Sequence, residues 1–160
     1  MEGPTAEQST DLTKADAALA AGRAADAAAL YELHLKQSVD ESQGANVRHG
    51  LALIESGRVS EGIVAVYQAY ELDHGLADNS LRLAMPEWSD HRIRTMVSRV
   101  VGHANRNQSA SSWLVVALLM EAEGRASLAN QMLDRSIGFG LDQSLGMRVR
   151  GMIAGSMPKR

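Results

Sequence analysis

The chain has 160 residues, 45% of them hydrophobic and 22% charged, with a formal net charge of −3. This is the balance of one soluble globular domain long enough to bury a core. The absence of cysteine excludes disulfides and thiolate metal sites, and an aromatic content of 4% leaves few platforms for stacking nucleic-acid bases. The core must therefore come from Ala, Leu, Val, Ile and Met. Small side chains and abundant Ala favour closely packed helices, so the expected class is all-α.

Residues 1–9 carry no periodic pattern and include Gly3 and Pro4, which predicts a flexible arm. No basic stretch followed by an apolar run opens the chain, and runs such as Trp113–Met120 are far shorter than a bilayer span. A cytoplasmic protein without membrane insertion is expected. The first helix should begin near Ser9, Thr10 or Asp11, all good N-caps, and stop at Gly22. A second helix should cover 24–38, with Ala27, Leu30, Tyr31 and Leu35 at helical spacing and a turn at Asp40 and Ser42.

The next pair is the most regular. A helix over 43–56 places Val47, Gly50, Leu51 and Ile54 on one side, and Gly57 ends it. Ser60 can cap the following helix, 61–72, whose inward residues are Ile63, Val66, Tyr67 and Tyr70. Gly50 and Gly62 sit inside these helices at about 1 kcal/mol each against Ala, acceptable where another backbone must pass close by.

Residues 75–107 are irregular. A short helix over 77–85 is predicted to end at Pro86, which bars helix in the residue before it and lacks an N–H. Ser89 or Asp90 should cap a helix to about Asn105 with Ile93, Met96, Val97, Val100 and Val101 as its apolar face. Two more helices are expected over 111–123 and 127–138. A last one, capped by Asp142, should reach about Ala154 with Leu145, Val149, Met152 and Ile153 on one face. Residues 10–154 then form a single domain, and 155–160 fray.

Gly22, Gly57 and Gly124 each end a helix-sized segment and each precede an Arg, at intervals of 35 and 67 residues. The second interval is close to twice a period of about 33.5, a spacing typical of stacked helical hairpins. Charge is uneven along this array. Residues 1–79 hold 13 acidic and 5 basic side chains, and residues 80–160 hold 6 and 11. Such a dipolar chain could stack on itself, so self-association is a candidate property.

These residues resemble the tetratricopeptide repeat. In the second hairpin Gly50, Leu53, Gly57, Val66 and Ala69 fall at that repeat's packing and turn positions, and Tyr70-Glu71-Leu72-Asp73 looks like its closing stretch, with His74 in place of the usual proline. Trp113, Ala117, Gly124 and Ala129 match in the fourth hairpin, and Ala15, Gly22, Ala27 and Tyr31 in the first. The third hairpin keeps the phase and lacks the signature. The resemblance implies a right-handed α-solenoid of about four hairpins, the third degenerate, closed by a C-terminal capping helix. It names no partner, because the repeat is an architecture.

In such repeats the first helices line a concave face. In phase, they would present Leu12, Val47, Leu51, Ile54, Leu81, Met85, Leu114 and Leu118, an apolar strip suited to a partner peptide or helix. The Lys and Asn clamp with which some relatives hold a terminal carboxylate is missing, since Leu12, Asp16 and Leu51 occupy those places. Arg92 and Arg99 share a face of the most basic stretch, 82–106, and are candidate secondary contacts.

The five histidines show no spacing that puts two ligands on one helix face, so no metal site is predicted; His34 and His103 read as packed structural residues. No phosphate loop, nucleophile elbow or convergent polar cluster marks an enzyme, and no cofactor is implied. The expected function is a non-enzymatic protein-interaction module, an adaptor, scaffold or chaperone-like protein that does not bind nucleic acid. The alternative is an accessory domain that binds a small apolar ligand or lipid between hairpins, in a pocket walled by Met85, Trp88, Met96 and Met120.

Overall fold

A computed structural model describes residues 6–37 and 43–157. The expected turn at Asp40 and Ser42, the first part of the arm and the tail beyond Met157 lie outside the described residues. The fold is all-α, and among the described residues there is no strand. The helices are α1 (Ala6–Ala20), α2 (Ala24–Gln37), α3 (Gly44–Glu55), α4 (Val59–Leu72), α5 (Asp90–Arg106), α6 (Ala110–Ala122), α7 (Ala126–Gly138) and α8 (Gln143–Ser156). Two 3₁₀ turns, His74–Asp78 and Leu81–Ala84, stand between α4 and α5. The chain forms two compact units, Met1–Ala69 and Tyr70–Arg160, divided within α4.

In the first unit α1 packs on α2 and α2 on α3. Ala15, Ala18, Ala27, Ala28, Tyr31, Leu51, Ile54, Ile63 and Val66 are buried. Gly22 (φ +80°) and Gly57 (φ +99°) end α1 and α3 in the same way. The glycine N–H bonds the carbonyl three residues back, and the following Arg N–H bonds the carbonyl five back, at 2.8 Å for Arg23 to Ala18 and 2.9 Å for Arg58 to Leu53. This double closure satisfies carbonyls that the helix end would leave bare, and only glycine adopts the required left-handed backbone without strain.

Helices α3 and α4 cross backbone to backbone. A Cβ on Gly50 would lie 2.8 Å from the Gly62 carbonyl oxygen, and one on Gly62 would lie 2.5 Å from the Gly50 oxygen. Both distances are below any normal contact, so the two mid-helix glycines are there because the crossing admits no side chain.

The second unit is built around α6. All eleven residues from Ser112 to Ala122 are buried, so this helix is covered on every side. It packs against α5, α7 and the second 3₁₀ turn, while α8 packs on α7 and the first 3₁₀ turn. Gly124 (φ +92°) and Gly140 (φ +99°) repeat the helix-ending geometry, with Arg125 N–H bonding the Met120 carbonyl at 2.9 Å and Leu141 N–H the Ser136 carbonyl at 3.1 Å. Helix α5 turns Ile93, Met96, Val97 and Val100 inward, and α8 does so with Leu145, Val149 and Ile153.

Three local expectations are corrected. Helix α1 begins at Ala6, so residues 6–9 belong to it rather than to an arm; Ala6, Glu7 and Gln8 are good helix formers ahead of the capping residues. Helix α4 begins at Val59, one residue before the expected cap Ser60. The helix expected over 77–85 does not form. Asp73 Oδ1 accepts from Gly75 N at 3.0 Å and Ser80 Oγ accepts from Arg82 N at 3.1 Å, and Asn79 and Ser80 are extended. Short polar side chains thereby give the backbone two separate turns instead of one continuous helix.

Candidate functional site

The predicted apolar strip is used by the protein's own core. Val47, Leu51, Ile54, Leu81, Met85, Leu114 and Leu118 are all buried, five of them at 0% exposure, and Leu12 is half-buried. A partner would meet these side chains only after the core opened. Sequence phase set them on shared helix faces, and it could not tell a groove from a core. Among the predicted secondary contacts, Arg92 stacks on the Trp88 ring at 3.7 Å and Arg99 is exposed.

In the first unit, α1 and α3 carry polar side chains that remain partly exposed. Asp16 of α1 accepts from the Tyr31 hydroxyl of α2 at 2.5 Å and from Arg48 Nη1 of α3 at 3.2 Å. One carboxylate therefore ties three successive helices. Its side chain is 39% exposed and that of Arg48 32%, so both remain accessible while Tyr31 is fully buried. Burial pushes the Tyr31 phenol above its ordinary range, and the neighbouring Asp16 carboxylate adds to this. The phenol stays a neutral donor at any physiological pH.

A second polar cluster lies one helix along. Glu32 of α2 faces His49 Nε2 of α3 at 3.4 Å and accepts from Arg58 Nη1 at 3.2 Å. Arg58 also bonds both oxygens of Glu61, at 3.2 Å and 2.5 Å, which lowers the Glu61 carboxyl below its usual range. Burial pushes the His49 imidazole down, against the opposing pull of Glu32. Asp16 was legible as a position, one turn from Leu12; its partners Tyr31 and Arg48 were not, because they lie 15 and 32 residues away.

The second unit holds two carboxylates at the C-terminal end of α6, where the helix dipole disfavours negative charge. They point to different partners. Glu123, whose side chain is 2% exposed, accepts from Arg94 Nε and Arg125 Nε, each at 2.8 Å. Glu121 is 6% exposed and accepts from Ser80 Oγ at 2.6 Å and Ser156 Oγ at 2.7 Å. Burial, then the Glu121 charge, pushes the Tyr70 phenol above its ordinary range.

An open cleft of about 520 Å³ lies between α1 and α2, lined by Ala17, Ala29 and Leu30 with Lys14, Arg23 and Asp26. It does not involve Met85, Trp88, Met96 or Met120, the walls expected of a ligand pocket; all four are buried. Among the described residues no group of three or more His, Asp or Glu side chains is placed to hold a metal ion. No helix of the described residues is long and apolar enough to cross a membrane. No protein-family model, curated protein or solved structure matches this chain.

Proposed function

We propose that this protein is a non-enzymatic protein-interaction module built of tetratricopeptide-like hairpins, acting as an adaptor, scaffold or chaperone in the cytoplasm. In this reading the hairpins stack as a right-handed solenoid, with the segment between α4 and α5 as a degenerate third repeat and α8 as the cap. The observation that supports the repeat is the like helix ending at Gly22, Gly57 and Gly124 at the sequence period, together with the Gly50–Gly62 crossing, although Gly140 ends α7 in the same way outside that period.

The recognition surface we propose is the half-exposed network of Asp16, Arg48, Glu32, His49 and Arg58, which runs over successive helices of the first unit. Fixed, partly desolvated charges of both signs discriminate partners by complementarity, and they suit a polar peptide better than an apolar anchor. The apolar strip is not part of this surface, since all its residues but the half-buried Leu12 are buried.

Affinity capture from the source lysate with wild type and an Arg48→Glu variant tests the reading. Arg48 is half-exposed, so the variant should keep its helical circular dichroism and melt close to wild type. A protein retained by wild type and lost by the variant supports the proposal. Identical captured sets from both, matching those of an unrelated helical control, would overturn it.

A further inference from the structure

Phe139 is the chain's one phenylalanine, and it is not in the core. It stands between Gly138 and Gly140, where α7 turns into α8, and is 50% exposed. Two more large apolar side chains of this corner face solvent, Ile137 and, at 70%, Met147. Ile137 lies over the α8 backbone at Gly146, its Cγ1 3.5 Å from where a Cβ would stand. Charges of both signs flank the corner. Arg135, one turn before Phe139, rests over the Trp113 ring at 4.7 Å, and Asp142 faces only His74, at 3.9 Å, among its described basic neighbours. Exposed large apolar side chains grouped in this way mark a docking surface.

The complementary shape is on the first unit. The open cleft between α1 and α2 has an apolar floor of exposed Ala17 and Ala29, buried Ala18 and half-buried Leu30. Its volume, about 520 Å³, is several times the roughly 150 Å³ that admits a benzene ring. The rim answers the charges of the corner. Lys14 and Arg23 are cations that suit Asp142, and Asp26 is an anion that suits Arg135; among the described residues none of these three rim side chains forms an ion pair. Two convex corners bury little of each other. A corner entering a cleft covers ring and floor together and brings opposite charges into contact.

We propose that the Phe139 corner of one molecule docks in the α1–α2 cleft of a second copy of this chain. The contact is heterologous: the two surfaces that meet are different, and each molecule carries one of each. Phe139 enters the cleft over Ala17 and Ala29, with Ile137 and Met147 closing its edge, and the charged rims pair across the boundary. Assembly by such a contact continues until the corners and clefts close on one another. It uses neither Arg48 nor Glu32, so it goes beyond the recognition surface of the first unit and leaves that surface open to another partner.

Sedimentation velocity of the full chain over a concentration series tests this. The mass of wild type should at least double. Phe139→Ser/Met147→Ser, which removes the corner, and Ala17→Glu/Ala29→Glu, which fills the cleft, should each stay monomeric. All four positions are exposed, so helical circular dichroism should be unchanged. An equimolar mixture of the two variants decides the pairing, because the intact corner of one can meet the intact cleft of the other; a heterodimer and nothing larger is expected. Three results would overturn the proposal: a wild type that stays monomeric, a mixture that does not associate, or a cleft variant that associates as well as wild type, which would mean corner-to-corner contact. Should a variant not fold, the absence of cysteine permits a milder trial, in which Ala29→Cys and Phe139→Cys proteins are mixed under oxidation. A disulfide-linked heterodimer in excess of both homodimers together supports the contact, and an equal or smaller yield sinks it.

Discussion

The two units solve the burial of polar groups in opposite ways. In the first, the tie between helices is a half-exposed carboxylate, Asp16, reaching a buried phenol and an accessible guanidinium. In the second, the tie is a buried carboxylate, Glu121, bonded to two serine hydroxyls, beside Glu123 with its two arginines. Charges left near water cost little to keep and remain available to a partner, whereas buried ones must be fully bonded and fix the packing around them. The first unit therefore suits charged recognition, while the second depends on α6 and the segments wrapped over it.

The contrast is broken most severely in the core of the second unit. Leu118→Ala, on a helix covered all round, should cost about 2–5 kcal/mol, read as a large drop in the urea midpoint. Next comes the first unit's backbone crossing. Gly50→Ala would drive a methyl to 2.6 Å from Val66 Cγ2 and 2.8 Å from the Gly62 oxygen, and should destabilise by about 1–3 kcal/mol. A smaller effect of opposite sign is expected at Gly102 of α5, where a Cβ meets nothing closer than Arg106 Nη1 at 3.6 Å. There Gly→Ala should stabilise by about 0.5–1 kcal/mol in the same assay. A loss of stability would show that α5 needs flexibility at that point.

The smallest effect concerns pH and sharpens the view of the first unit. His49 is lowered from the ordinary imidazole value of about 6.5, so the unfolded chain takes up a proton at a higher pH than the folded one does. Its contribution is complete above that ordinary value and is lost as pH falls through the lower, folded one. Urea midpoints at pH 7.5 and 5.5 should therefore drop less for His49→Gln than for wild type. Equal drops would show that Glu32 holds the imidazolium as well as water does.

Most of the helices could be read from the sequence because their signals are local. Ser89 and Asp142 cap helices through their own side chains, accepting from Arg92 N and Leu145 N, and the glycines that stop helices do so by their own backbone freedom. The failed helix at 77–85 was less legible because the competing signals were equally local, with Asp73 and Ser80 capturing the amides on which a helix would have been built. The burial of most of the apolar strip was illegible for a different reason. Phase tells which residues leave the surface of a helix and not whether another helix already waits there.

By itself, the sequence determined the all-α class, the turns at Gly22, Gly57 and Gly124 and the inward set of most helices, since these follow from backbone freedom and periodicity within a few residues. Only the tertiary structure decided that Leu114 and Leu118 are core, that Asp16 joins Tyr31 and Arg48, and that residues 73–88 lie against α6 and α8. Those outcomes depend on contacts between residues tens of positions apart. Their energies come from water excluded and from bonds completed in the folded state, and no local pattern records them.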